Sequence, residues 1–86
     1  MPTISSFYGI LIRMFYNDHE PPHFHALYGE FQATVAIEEL RVLEGELPRR
    51  ALDLVLDWAE LHQDELRENW RLARARSSPK KITPLR

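Results

Sequence analysis

The apolar side chains of this 86-residue chain change their period once. Between Phe7 and Ile37 they fall on alternate residues, and from Leu52 to Ala73 they recur at spacings of three, four or seven. Extended chain therefore comes first and helix second, which predicts an α+β domain: a three- to four-stranded antiparallel β-meander packed against one long C-terminal helix, followed by a short basic tail. The first strand is expected over 7–16 (FYGILIRMFY), with Ile10, Ile12, Met14 and Tyr16 on one face and Gly9, Leu11, Arg13 and Phe15 on the other. Asn17 to Pro22 reads as a turn, because Asn and Asp side chains bond nearby backbone and paired prolines lack N–H donors. A second strand over 23–28 sets His23, His25 and Leu27 against Phe24, Ala26 and Tyr28, with Phe24 and Tyr28 expected in the core. Gly29-Glu30 then turns tightly into a third strand over 31–37. Val42-Leu43, ended by Gly45, supports a brief fourth strand at 41–43. Pro48 suits the first turn of a helix over 48–76, either one rod with a kink or two joined near His62. Ser77-Ser78-Pro79 ends it, leaving 77–86 as the tail.

A chain of this length supports one core, so a single domain over 1–86 is expected. It contains no cysteine, which removes disulfides and thiolate chemistry and leaves stability to packing or a partner. No apolar run reaches the roughly 20 residues of a membrane-spanning helix, and Met1 to Ser6 carries neither a basic leader nor an apolar signal core. A cytoplasmic protein is the corresponding expectation. The net charge of −2 hides a polarity: residues 1–66 hold 4 Lys+Arg against 12 Asp+Glu, whereas residues 67–86 hold 7 against 1.

Three of the four histidines lie within seven residues, at His19, His23 and His25, flanked by Asp18 and Glu20. On a strand rising about 3.3 Å per residue, His23 and His25 share a face with Cα atoms about 7 Å apart, so both imidazoles can converge on one ion or one phosphate. Three readings follow. In a metal site, His23 and His25 donate two nitrogens, and His19, Asp18 or Glu20 arrives across the Pro21-Pro22 bend as the third ligand, leaving one coordination position open to a divalent ion such as zinc. Without metal, His23 and His25 act as acid and base on an RNA phosphodiester, with Arg13 on the adjacent strand stabilising phosphate charge if it shares their face. In a purely structural role, the histidines hydrogen-bond the Asn17-Asp18 loop and fix the hairpin. His62 reads as a helix-boundary residue in all three.

Arg67, Arg71 and Arg74 repeat at helical spacing, and Arg76, Lys80, Lys81 and Arg86 continue the basic run. Such a stripe can contact nucleic-acid phosphates, or it can pair with Glu65 and Glu68 and simply solvate the helix. Trp58 is read as a core residue, and Trp70 as packing on the tail near Ile82 and Leu85 or anchoring a partner. Asp53, Asp57, Glu60 and Asp64 form an acidic outer face that disfavours nucleic acid along the first half of the helix.

The segments PTISSFYGILIRMFYNDHEPPHFHALYGE, LEGELPRRALDLVLDWAELHQDELRENW and PKKITPL, taken in this order, resemble the small bacterial family catalogued as domain of unknown function 4160. The most specific stretch is Asp18-His19-Glu20-Pro21-Pro22-His23-Phe24-His25-Ala26, supported by Leu47-Pro48-Arg49-Arg50-Ala51 and the Trp58 to Trp70 spacing. The resemblance implies a fold more than an activity. It also implies a neighbour, because members are often encoded beside a protein of the domain of unknown function 2442 type, in a pairing that looks like a toxin–antitoxin module. The leading expectation is accordingly a toxin-like partner that cleaves or binds RNA through His23, His25, Arg13, Arg71 and Arg74. The alternatives are a non-catalytic protein-interaction module and a small metalloprotein using the His-x-His strand.

Overall fold

The computed structural model describes residues 2–86; Met1, with which the expected 1–86 domain begins, lies outside them. Five strands and two helices follow one another along the chain: β1 (Thr3–Phe7), β2 (Ile10–Arg13), β3 (His23–Tyr28), β4 (Phe31–Ala36), β5 (Val42–Glu46), α1 (Arg49–Leu61) and α2 (Gln63–Arg74). The strands form one antiparallel sheet in sequence order, a pure meander. The α+β class and the meander are as expected, and the helical part takes the expected alternative of two helices joined at His62, whereas the count of three to four strands and the single long helix are corrected.

The first correction lies at the N-terminus. The stretch expected as one strand over 7–16 straddles a hairpin turn at Tyr8-Gly9, both residues having positive φ (50° and 81°). Two successive positive values are what a two-residue hairpin with right-handed strand twist demands. Phe7 pairs with Ile10 across the turn, and TISSF, outside the expected 7–16, forms an edge strand. The alternation itself is correct: Ile10, Ile12 and Met14 are fully buried. Tyr16, beyond the strand end, is exposed, and so in part is Tyr28, which lies against Gly9 at the turn.

β5 is longer than the 41–43 expected, and Gly45 lies inside it. Its φ is +78°, and a Cβ there would fall 2.2 Å from the Gln32 carbonyl oxygen of β4. Glycine at this position lets the two backbones close rather than ending the strand.

At the helix division, His62 adopts φ −122°, ψ 26°, so α1 and α2 are separate rods joined at one residue. The inner side of α1 buries Ala51, Val55, Trp58 and Ala59, and α2 buries Leu66, Asn69, Trp70 and Ala73. Trp58 is the hub of the core: its ring meets Phe7 at 5.4 Å and Phe24 at 5.8 Å, edge-on to the latter. Its indole N–H donates to the Thr83 carbonyl at 2.9 Å. Burying that nitrogen without an acceptor would cost about 1–3 kcal/mol, so the C-terminal segment is a structural partner of the core. Residues 77–86 carry no helix or strand, as expected of a tail, but they dock on the core. Ile82 is buried and its N–H donates to Ile4 of β1, while the Asn69 amide clasps both backbone groups of Lys80. No helix among the described residues is long and apolar enough to cross a membrane.

Candidate functional site

β3 opens on His23, and the alternation that sends Phe24 and Ala26 into the core sends His23 and His25 to the other side. Both imidazoles meet Asp18, which comes from the loop between β2 and β3. Its Oδ2 lies 2.9 Å from Nε2 of His23 and 3.4 Å from Nε2 of His25. The three candidate donor atoms all lie within 4.8 Å of one another.

The loop is held from several directions. Asn17, at φ 50°, donates its N–H to the Ala73 carbonyl near the end of α2 at 3.0 Å. Glu20 pairs with Arg74 of the same helix at 2.8 Å, and the Pro22 carbonyl accepts from the Ile37 amide. Asp18 Oδ1 accepts the His19 N–H at 2.8 Å, which leaves Oδ2 for the imidazoles. His23, 2% exposed, is closed in by the Trp70 ring at 5.1 Å, and Phe15 meets His25 edge-on at 4.3 Å.

The tautomer of His23 follows from its other nitrogen. Nδ1 lies 2.7 Å from the Pro21 carbonyl oxygen, which can only accept, so Nδ1 carries a proton and donates it. Nε2 is then directed at Asp18 as either a lone pair or a second N–H. Burial alone would raise the Asp18 carboxyl, but the His19 amide and the hydrogen bonds to His25 and His23 outweigh it and hold it below the usual carboxylate range. For His25 burial is the largest influence and pushes the imidazole below its ordinary value; the Asp18 hydrogen bond opposes this and the charge of His23 adds to it. An ionised carboxylate beside a neutral imidazole is the protonation state that metal coordination requires.

The chain matches one family model, described as Domain of unknown function (DUF4160), over residues 9–71. It belongs to the DUF4160 family. No curated protein and no solved structure matches it. The matched span of this DUF4160 chain includes Arg13, Asp18, His19, His23 and His25, together with Arg67 and Arg71 but not Arg74, Lys80 or Lys81.

Of the residues picked out in the sequence, His23 and His25 are brought together as expected. His19 is not: its side chain is 81% exposed and its Nε2 stands 4.0 Å from Asp18 Oδ1, on the outside of the cluster. Asp18, one of three options for the third ligand, is the one whose carboxylate converges with the two imidazoles. Arg13 sits directly across from His25 in the β2–β3 register, on the same face, and its buried Nε has no hydrogen-bond partner among the described residues. The basic stripe is organised differently. Arg67 holds Glu38 at 2.8 and 2.9 Å and Asp64 at 2.7 Å, Arg71 pairs with Glu68, and Arg74 with Glu20. The Arg67 hydrogen bond lowers the Glu38 carboxyl, and the Arg71 hydrogen bond lowers that of Glu68. Lys80 and Lys81 are exposed beside Glu65 and Glu68. His62 sits at the helix break bonded to Glu65, a boundary residue as read.

Sequence reasoning missed Trp70 as the wall of the site and the Pro21 carbonyl as the group that fixes His23. The local signal for Asp18 was its turn-forming position before the Pro-Pro bend. Its selection over Glu20 depends on the contact between Asn17 and α2, which no local pattern carries.

Proposed function

We propose that this chain is a small metal-binding protein whose centre is Asp18, His23 and His25 holding one first-row divalent cation, zinc being the best chemical fit. The observation that carries this reading is the convergence of three donors of the right type, with His23 already oriented by its Nδ1–H bond to a backbone carbonyl. That bond is the usual outer support of a metal-bound histidine, fixing the tautomer that offers Nε2. The spacing also fits. Metal bonds of about 2.0–2.1 Å put tetrahedral ligand atoms about 3.3 Å apart, and the carboxylate oxygen lies 2.9 and 3.4 Å from the two nitrogens. Where Nε2 of His23 presents its lone pair, a cation between the two groups removes its conflict with the carboxylate. Two imidazoles and one carboxylate leave a coordination position open, as in catalytic rather than structural zinc sites.

The RNA-directed reading draws less support, because the arginines assigned to phosphate contact on α2 are already engaged by carboxylates. The toxin–antitoxin reading and the domain of unknown function 2442 partner rest on the resemblance alone.

Full-length protein purified without a nickel column, stripped and titrated with zinc, manganese and ferrous iron by calorimetry, tests the proposal. One equivalent of bound metal is expected, lost in His25→Ala and Asp18→Asn and kept in His19→Ala. Absence of binding to the unaltered protein, or equal binding by Asp18→Asn, overturns it.

A further inference from the structure

The open side of the sheet carries a transverse row in which Arg13, His25, Thr34 and Glu44 are successive register partners on β2, β3, β4 and β5. Directly paired residues on one face have Cβ atoms about 4.5–5.5 Å apart, so the row is a continuous strip of side chains. One end is cationic, the middle is the candidate metal ligand and the far end is anionic.

Arg13 differs from the exposed Arg49, Arg50, Arg76 and Arg86 in having a buried Nε, and from the remaining arginines in having no carboxylate. Arg41, Arg67, Arg71 and Arg74 each hold a carboxylate, whereas Arg13 makes no salt bridge among the described residues. A guanidinium with its Nε buried and unpaired is costly unless an acceptor reaches it. The nearest element of the strip is His25, which supplies no anion. On the other side of His25 lies a cavity of about 390 Å³ lined by His25, Thr34, Gln32 and Glu44, within the size range of small-molecule sites.

Resting on the metal reading above, we propose that the ligand of this face is a phosphomonoester of a hydroxyl-bearing small molecule. One phosphate oxygen occupies the open metal position, a second accepts from the Arg13 guanidinium, and the hydroxyls bond Thr34, Gln32 and Glu44 across the cavity. Charge selects the class. A divalent ion and Arg13 set against the Asp18 and Glu44 carboxylates leave a local surplus of about one positive charge, which favours a single small anionic group such as a phosphomonoester. A long polyanion is disfavoured, because Glu44 lines the cavity and Glu46 follows it on the same edge strand, so adjacent phosphates would meet like charge.

Zinc-loaded full-length protein titrated with glucose 6-phosphate, inorganic phosphate, glucose and a short single-stranded RNA tests this assignment. Glucose 6-phosphate binds more tightly than inorganic phosphate, and glucose does not bind. Arg13→Gln weakens both phosphate probes about tenfold or more while leaving the metal stoichiometry unaltered. Arg13→Lys recovers part of the loss, which a merely structural arginine would not show. If zinc binds but neither phosphate probe does, or if Arg13→Gln leaves their affinity unchanged, the phosphomonoester site is refuted and the metal centre stands. If zinc itself fails to bind, both are refuted. RNA binding tighter than that of glucose 6-phosphate overturns the small-molecule assignment.

Discussion

The histidine hairpin and the arginine helix look like equally promising functional clusters in the sequence, yet they solve the problem of local charge in opposite ways. On α2 every arginine of the stripe that is paired has a carboxylate of its own, at the surface, and the set is closed. Around β3 one carboxylate is shared by two imidazoles, one of them buried against Trp70, and the arginine beside them has none. A density of ionisable residues is therefore a poor guide by itself. What separates a solvated face from a candidate site is whether donors and acceptors are matched within the protein or left over in one direction.

The sharpest way to break this contrast is at the wall between the two regions. Trp70→Ala removes a buried ring from the core and from His23 together, and should cost about 3–5 kcal/mol in urea unfolding. If the loss were no larger than that of a surface substitution, Trp70 would not be what encloses the cluster.

Substitutions of the cluster itself should come next in size. His25→Ala and Asp18→Asn are expected to lower zinc affinity by more than about 100-fold, beyond the 10–100-fold typical of outer-shell partners, as measured by competition with a chelating dye. Combined Arg67→Gln and Arg71→Gln substitutions should leave that affinity untouched, and equal losses in both sets would erase the distinction.

A smaller effect is expected from pH in the metal-free protein. The folded chain holds His25 below its ordinary value of 6.5, so the unfolded chain takes up that proton more readily and acidification favours unfolding. Stability from this group is complete above 6.5 and is lost as pH falls through the folded value. The Asp18 contribution has the same sign but is lost only below the carboxylate value of 3.8. Tm should therefore drop between about pH 7.5 and about pH 5.5, and His25→Gln should flatten the decline. A Tm that rises on acidification contradicts the assigned direction.

The smallest effect belongs to the exposed pairs. Glu68→Gln should leave Tm unchanged within error, because solvent screens an exposed pair and the side chains lose freedom to form it. A clear drop would mean that the stripe supports the fold.

The parts of this architecture that local pattern encodes were readable in advance. Alternation placed Phe24 inside, set Ile10 and Ile12 on one face and put His23 and His25 on a common side, because a strand has no other way to order them. The Tyr8-Gly9 turn was hidden inside an apolar run, since tyrosine is not a residue that announces positive φ. The TISSF strand was hidden too, its serines giving no strand signal although Ser5 is buried. Gly45 reads as a stop in the sequence because closeness to Gln32 is a property of two strands rather than of one. The docking of residues 77–86 depends on Ile82 meeting Ile4, a contact between the two ends of the chain. That Asp18 rather than His19 or Glu20 meets the two imidazoles likewise depends on α2 holding Asn17, a contact no local pattern carries.

The most direct test of the metal centre is long-range proton–nitrogen correlation on the histidine rings of uniformly labelled protein, recorded before and after one equivalent of zinc. The Nε2 resonances of His23 and His25 should move to the metal-bound range with Nδ1 of His23 still protonated, while His19 and His62 stay in place. Rings that all remain unshifted, or a shift confined to His19 or His62, would contradict a centre built on Asp18, His23 and His25.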